Sequence, residues 1–221
     1  MFKHFILAAA LVLGLALPAA SAEVNGFYAG VKFIDSIQGT GSVEKSSELD
    51  GFGIGQFSQN TVGGGAFVGW DFYPQSRVPL RTEIEYAIRS NMSKTWEGVG
   101  ISSGEEIKQE RNLQTLLFNL YYDFHNDSAF TPYLGAGAGV GFIRSKFTAS
   151  AGLANDSETY SQTVFAYNVG AGVSYAFTDN VSADLAYRFL GLTYNEINDG
   201  DVRISSTPYA NEVSLGLRFT F

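Results

Sequence analysis

The sequence predicts an all-β chain: one eight-stranded antiparallel up-and-down transmembrane β-barrel behind a cleaved signal peptide. Three observations carry that reading. The amino-terminus has the layout of an export signal. Beyond it, no apolar run is long enough to cross a membrane as a helix, so any crossing must use strands. Eight stretches alternate between an apolar and a small, polar or charged residue, and the gaps between them alternate long and short.

The signal comes first. Met1, Phe2, Lys3 and His4 form a short basic head, Phe5 to Leu17 is an apolar run of thirteen residues, and Ala20-Ser21-Ala22 is a small-residue cleavage site. The run is shorter than the roughly 20 apolar residues a membrane-spanning helix needs. Cleavage is expected after Ala22, which divides the chain into a signal over 1–22 and a barrel domain over 23–221. Position 22 is not Cys, which excludes lipid attachment there.

Composition bounds what remains. The 221 residues include 25 Gly, 18 Phe and 12 Tyr but no Cys, so neither a disulfide scaffold nor a thiol site is available. With 14 Lys+Arg against 22 Asp+Glu, the formal net charge of −8 makes nucleic acid a poor partner. Mean hydropathy is near zero, as expected where every second residue cancels its neighbour.

The strands follow in order. Phe27, Ala29, Val31 and Phe33 share one face of the first, against Tyr28, Gly30 and Lys32; a polar segment from about Asp35 to Asn60 follows. The second places Val62, Ala66, Val68, Trp70 and Phe72 opposite Gly63, Gly65, Gly69 and Asp71, and Pro74 to Arg77 forms a short turn. In the third, Leu80, Ile84, Tyr86 and Ile88 oppose Arg81, Glu83, Glu85 and Arg89. A loop to about Lys108 leads to the fourth, with Leu116, Phe118, Leu120, Tyr122 and Phe124 outward and Thr115, Asn119, Tyr121 and Asp123 opposed.

His125 to Ser128 makes the second short turn. The fifth strand sets Phe130, Leu134, Ala136, Ala138, Val140 and Phe142 against Gly135, Gly137, Gly139 and Gly141. A loop is expected from Phe147 to Gln162, then a sixth strand through Phe165, Tyr167, Val169, Ala171, Val173, Tyr175 and Phe177. Thr178-Asp179-Asn180 turns into the seventh, where Val181, Ala183, Leu185, Tyr187 and Phe189 oppose Ser182, Asp184, Ala186 and Arg188. A last loop, Asn195 to Pro208, precedes the strand Tyr209 to Phe221. There Val213, Leu215, Leu217, Phe219 and Phe221 face away from Glu212, Ser214, Gly216 and Arg218. Three short turns lie at one end and four long loops at the other, which puts the turns in the periplasm and the loops outside the cell. Tyr and Phe near the strand ends fit interfacial girdles.

The inward register collects Lys32, Arg81, Arg89, Arg188 and Arg218 with Asp71, Glu83, Glu85, Asp123, Asp184 and Glu212: five bases against six acids. Eight strands leave an interior filled by side chains, and an unpaired charge there costs several kcal/mol, so a salt-bridged lumen network is expected. An ion path or a carboxylate pair is the functional alternative, and the glycine columns, read as room for long Arg and Glu chains, could instead mark a ligand cavity.

No catalytic, metal or cofactor site is expected. A general base beside a nucleophile needs an imidazole or its equivalent, and the one histidine after the signal, His125, falls in a turn. A lone His without Cys argues against zinc. The glycine runs open no helix, so no phosphate loop is supported. The long loops are acidic, with Glu44, Glu48, Asp50, Glu97, Glu105, Glu106, Asp156, Glu158, Glu196, Asp199 and Asp201.

Three segments resemble the opacity-protein and small OmpA-type outer-membrane barrel family. They are Thr131-Pro132-Tyr133-Leu134-Gly135-Ala136-Gly137-Ala138-Gly139, Gly170 to Tyr175 with Thr178-Asp179-Asn180, and Glu212 to Phe221; Gly26-Phe27-Tyr28-Ala29-Gly30 fits as well. The resemblance implies a Gram-negative outer-membrane protein among lipid and lipopolysaccharide. Phe219 and Phe221 would be the signal read by the barrel-assembly machinery. The implied role is structural or in surface interaction, with host or cell-surface molecules met through the loops and no enzymatic activity. The competing expectation is a narrow porin-like channel for small solutes or ions. Intact-mass measurement of protein from the outer membrane should give a chain beginning at Glu23; a retained leader would refute the processing site.

Overall fold

In a computed structural model, residues 25–45, 55–97, 105–151, 154–193, 195–199 and 202–221 are described. The signal segment, with Ala20 and Ala22, lies outside them, as do Glu48, Asp50 and Asp201 of the long loops. Ten strands and one helical turn follow: β1 (Phe27–Lys45), β2 (Ser58–Asp71), α1 (Tyr73–Ser76), β3 (Leu80–Arg89), β4 (Met92–Glu97), β5 (Glu105–Asp123), β6 (Phe130–Ala151), β7 (Ala154–Ala176), β8 (Val181–Leu192), β9 (Asn195–Asp199) and β10 (Val202–Thr220).

Eight of these form the ring, in the order β1, β2, β3, β5, β6, β7, β8, β10, every neighbour antiparallel. β10 returns to pair with β1 from Tyr28↔Thr220 to Lys45↔Ile204, with one irregularity between Thr40 and Val43. The seam is tied off at its foot, where the Phe221 N–H donates to the Phe27 carbonyl at 2.9 Å and the Asn25 N–H donates to the Phe221 carbonyl at 2.8 Å. Lipid offers backbone groups no partner, so only a sheet closed on itself satisfies them all.

The outer face is apolar and exposed: Leu215 is 57% and Val169 58% exposed, whereas Glu212 and Arg89 in the opposite register are 1% and 0%. Aromatic rings band both ends of this face. Near the short turns, Phe27 packs against Trp70 and Phe221, Tyr122 against Phe124, and Tyr175 against Phe130 and Phe177. Towards the long hairpins stand Tyr86, Phe142, Phe165 and Tyr167. Such belts suit rings with one wet and one oily edge.

The long loops expected from the sequence are in large part ladder. β1 runs ten residues past Asp35 to Lys45, and β5 already begins at Glu105. β6 and β7 stay paired from Phe130↔Tyr175 to Ala151↔Ala154, straight through the stretch 147–162 expected as loop. β4 pairs with β5, and β9 with β10. Above the membrane the outward face of a strand meets water, and the inward face is largely polar. The apolar alternation therefore disappears there while the backbone bonds continue, and periodicity alone misses such strands. The Pro74–Arg77 turn is the single-turn helix α1 ended by Arg77 in a left-handed conformation, φ 58°.

The glycine columns correct a second expectation. They admit aromatic rings more than Arg or Glu chains. A Cβ at Gly30 would overlap the Phe67 ring, one at Gly69 the Tyr28 ring, one at Gly135 the Tyr121 ring and one at Gly172 the Tyr133 ring; only Gly63 and Gly170 stand against Arg89 and Arg188. Gly139 is tight for another reason: a Cβ would overlap the Leu116 carbonyl and come within 2.9 Å of the Leu117 Cα, both backbone. At Gly216 the nearest atom would be a comfortable 3.6 Å away. Gly139→Ala should therefore lower barrel stability by roughly 1–3 kcal/mol, the usual cost of overpacking, while Gly216→Ala changes it little; urea unfolding in lipid vesicles, read by tryptophan emission, compares them.

Candidate functional site

Three layers of side chains fill the lumen. The lowest, by the short turns, centres on Arg81 at the start of β3. Its Nε and Nη2 donate to the two Asp123 carboxylate oxygens at 2.9 and 3.1 Å. The rings of Tyr121 and Tyr133 lie 4.6 and 5.0 Å from the guanidinium carbon, a cation–π cage around a charge that is 3% exposed. Arg218 sits at the same level. It donates to Ser182 at 3.0 Å and Ser174 at 2.8 Å, and lies 3.8 Å from Asp184.

The middle layer is a continuous chain of opposite charges. Arg89 donates from both Nε and Nη2 to Glu212, and its Nη1 donates to Thr115. Arg188 donates to the other side of Glu212 at 2.8 Å and to Glu85 at 2.9 Å. Lys32 donates to Glu85 at 2.6 Å and reaches Glu83 at 3.3 Å. The hydroxyls of Ser36, Tyr121 and Tyr28 complete the carboxylate shells. Three cations thus alternate with three anions across β1, β3, β8 and β10, which face one another across the lumen because the sheet is closed. Buried ions of both signs in mutual contact escape most of the penalty an isolated one would bear.

Beside this chain is a cavity of about 40 Å³, bordered by Lys32, Glu83, Asn168, Asp184 and Arg188 among others. Asp184 Oδ1, Asn119 Nδ2 and Arg218 Nη1 are buried without a hydrogen-bond partner. The space suits about three ordered waters at roughly 10–15 Å³ each, not a passage.

Above the ions, towards the long hairpins, one side of the lumen turns apolar, while β1 and β2 keep the buried polar Gln38, Thr40 and Thr61. Leu113, Leu117, Ile143, Ala166, Leu190, Leu192 and Ala210 form one buried cluster with Val164 against it. Sequence reasoning missed this layer, because apolar residues on both parities of a strand, as in Leu116-Leu117-Phe118, hide the inward one behind its lipid-facing neighbours. It also missed Arg111, higher still. Arg111 is 4% exposed, its Nη2 is 3.5 Å from Met92 Sδ, and burial pushes its guanidinium down to about 10.

The ionisable residues singled out from sequence therefore fall into three places. Lys32, Glu83, Glu85, Arg89, Arg188 and Glu212 form the chain, Arg81 joins Asp123, and Arg218 stands by Asp184. Asp71, at the end of β2, lies within 4.8 Å of Asp123 but outside its pair with Arg81; its Oδ1 accepts the Tyr73 N–H at 2.9 Å. Phe219 and Phe221 occupy the foot of the closing seam, Phe221 with its ring 5.7 Å from that of Phe27.

A family model, the outer membrane protein beta-barrel domain, matches residues 5–221. The chain belongs to that family. Outer membrane protein PagN of Salmonella typhimurium is 29% identical over 221 residues, covering 95% of this chain and 90% of that one. A candidate adhesin of Rickettsia conorii is 31% identical over 152 residues, 63% of this chain and 61% of its own. Among solved structures, Neisserial surface protein A superposes with a TM-score of 0.53 at 22% identity, over 89% of this chain and 97% of that one, a likeness of fold. The protein is accordingly an outer-membrane β-barrel of a Gram-negative cell, with a structural or surface-interaction role.

Glu212 holds two guanidiniums at once. Glu212→Ala should cost about 3–5 kcal/mol, the range seen when one partner of a buried ion pair is removed. Glu212→Gln, which keeps an acceptor, should cost less; unfolding midpoints in urea decide between them.

Proposed function

We propose that the barrel is a sealed, non-enzymatic anchor that displays its extended hairpins for contact with host or cell-surface molecules. The supporting observation is the filling of the lumen: an ionic layer below, and above it an apolar cluster on one side with buried Gln38, Thr40 and Thr61 on the other. An ion following the charged side chains would meet Leu113, Leu117, Ile143 and Leu190 on one wall and Gln38 hydrogen-bonded to Thr61 on the other, which leaves it no way to keep its water. Narrow porin-like conduction is disfavoured for that reason.

The outer hairpins supply the contact surface. From Phe142 to Ala151, β6 continues for about 30 Å of strand at ~3.4 Å per residue beyond the upper aromatic band. The Phe147 and Tyr160 rings pack edge-on at 6.2 Å across that hairpin, giving it a rigid side. The Rickettsia relative's adhesin name supports the same direction. The outer-membrane protease of Escherichia coli shares the fold at a TM-score of 0.52 and 11% identity, which carries over no chemistry.

Two measurements test this reading. In planar bilayers the purified protein should show no steady unitary conductance, whereas Leu117→Gly with Leu190→Gly should admit ions by opening the plug. Replacing the four outer hairpins with short turns should leave a folded barrel but abolish adhesion of expressing cells to host cells or matrix; unchanged adhesion would remove the proposal.

A further inference from the structure

The periplasmic mouth brings together three donors from separate elements. Asp71 ends β2, Asp123 ends β5, and His125 lies in the turn between β5 and β6; one ligand atom from each falls within 4.8 Å of the others. The charges nearby do not balance. Lys32, Arg81, Arg89, Arg188 and Arg218 stand with Glu83, Glu85, Asp123, Asp184 and Glu212. Asp71 is the sixth acid. It lies directly across the ladder from Arg81, yet Arg81 turns both donors to Asp123. Among the described residues no cation forms a salt bridge with Asp71, and its carboxylate accepts one hydrogen bond, from the Tyr73 backbone.

His125 is held as a ligand would be. Its ring stacks on Tyr73 with centroids 3.5 Å apart and planes 7° from parallel. Its Nδ1 is 3.2 Å from the Asp123 carbonyl oxygen. A carbonyl only accepts, so Nδ1 is the donor there, which leaves Nε2 as the ring nitrogen able to meet a metal ion. A histidine that ligates a metal has this arrangement, its second nitrogen donating to a backbone carbonyl. Tyr73 serves both sides of the site, its N–H on Asp71 and its ring on His125. Asp123 keeps lone pairs outside the Arg81 fork, since each carboxylate oxygen has two.

We propose that Asp71, Asp123 and His125 bind a divalent transition-metal ion of the zinc type, clipping the β2–β3 turn to the β5–β6 turn at the periplasmic end of the barrel. One imidazole with two carboxylates suits a borderline cation at about 2.0–2.2 Å per ligand, whereas calcium and magnesium favour all-oxygen shells. Ligands on such an ion stand about 3.5 Å apart, so modest side-chain rotation closes the site. The divalent charge is favoured by Asp71, which forms no salt bridge among the described residues; the nearby Arg77 is turned to the Tyr73 ring, 5.1 Å from its centre.

The test uses full-length protein extracted from outer membranes into detergent and titrated with zinc chloride by calorimetry. One ion per chain should bind, and affinity should fall by ~100-fold or more, at the top of the range for losing even an outer-shell group, in Asp71→Asn and in His125→Phe. The first variant keeps an acceptor for the Tyr73 N–H and the second keeps a ring against Tyr73; unchanged heat-modifiable mobility on gels shows that both fold. Zinc should also shift the 15N resonances of the His125 imidazole in unsubstituted protein, and calcium should not. Absence of that imidazole shift overturns the site whatever the variants do. So does zinc binding equal in both variants, which would place the ion on the acidic hairpins.

Discussion

Backbone hydrogen bonding in a medium without water is the constraint on which the rest depends. Every N–H and C=O at membrane depth needs a partner within the protein, and the pairing of β10 with β1 provides the last set. Closure then fixes the diameter. Eight strands enclose a space too narrow for a pore and wide enough for side chains, so the lumen must be packed like an interior. The glycines opposite Phe67, Tyr28, Tyr121 and Tyr133 are one consequence. In so thin a cylinder, a large ring on one strand requires a missing side chain on the next.

The ionic chain is the second consequence. Lipid outside is as oily as the outward leucines, so burying the exterior does little to choose one strand arrangement over another. Selectivity has to come from within. The chain from Arg89 through Glu212, Arg188, Glu85 and Lys32 to Glu83 can form only if β1, β3, β8 and β10 stand in one stagger. A one-residue slip would turn these charges out into hydrocarbon. The rigid cylinder that results leaves its hairpins free to vary in the service of contact, the usual division between scaffold and loop.

Legibility from sequence followed the solvent. Between Tyr209 and Phe221 the two faces meet lipid and lumen, so alternation is sharp and the strand can be read directly. At Phe147, Thr148 and 157–162 no residue is buried on either face, and a ladder just as regular leaves no apolar trace. Leu117 and Leu190 were hidden differently. They are apolar residues of the inward parity within strands whose outward parity is also apolar, so the plug merged into the membrane signal. His125 read as an ordinary turn residue, because nothing local connects it with Asp71, fifty-four positions earlier.

The sequence by itself determined the number of strands in the ring, the lipid-facing register and the compartment. These depend on local period and on composition, which residues i and i+2 already express. Only the tertiary structure decided which acid meets which base, where ions give way to an apolar plug, and that Asp71, Asp123 and His125 share one mouth. Those outcomes turn on the stagger with which β1 meets β10 and on the tilt it imposes around the ring. That is a property of the closed cylinder, carried by no single stretch of chain.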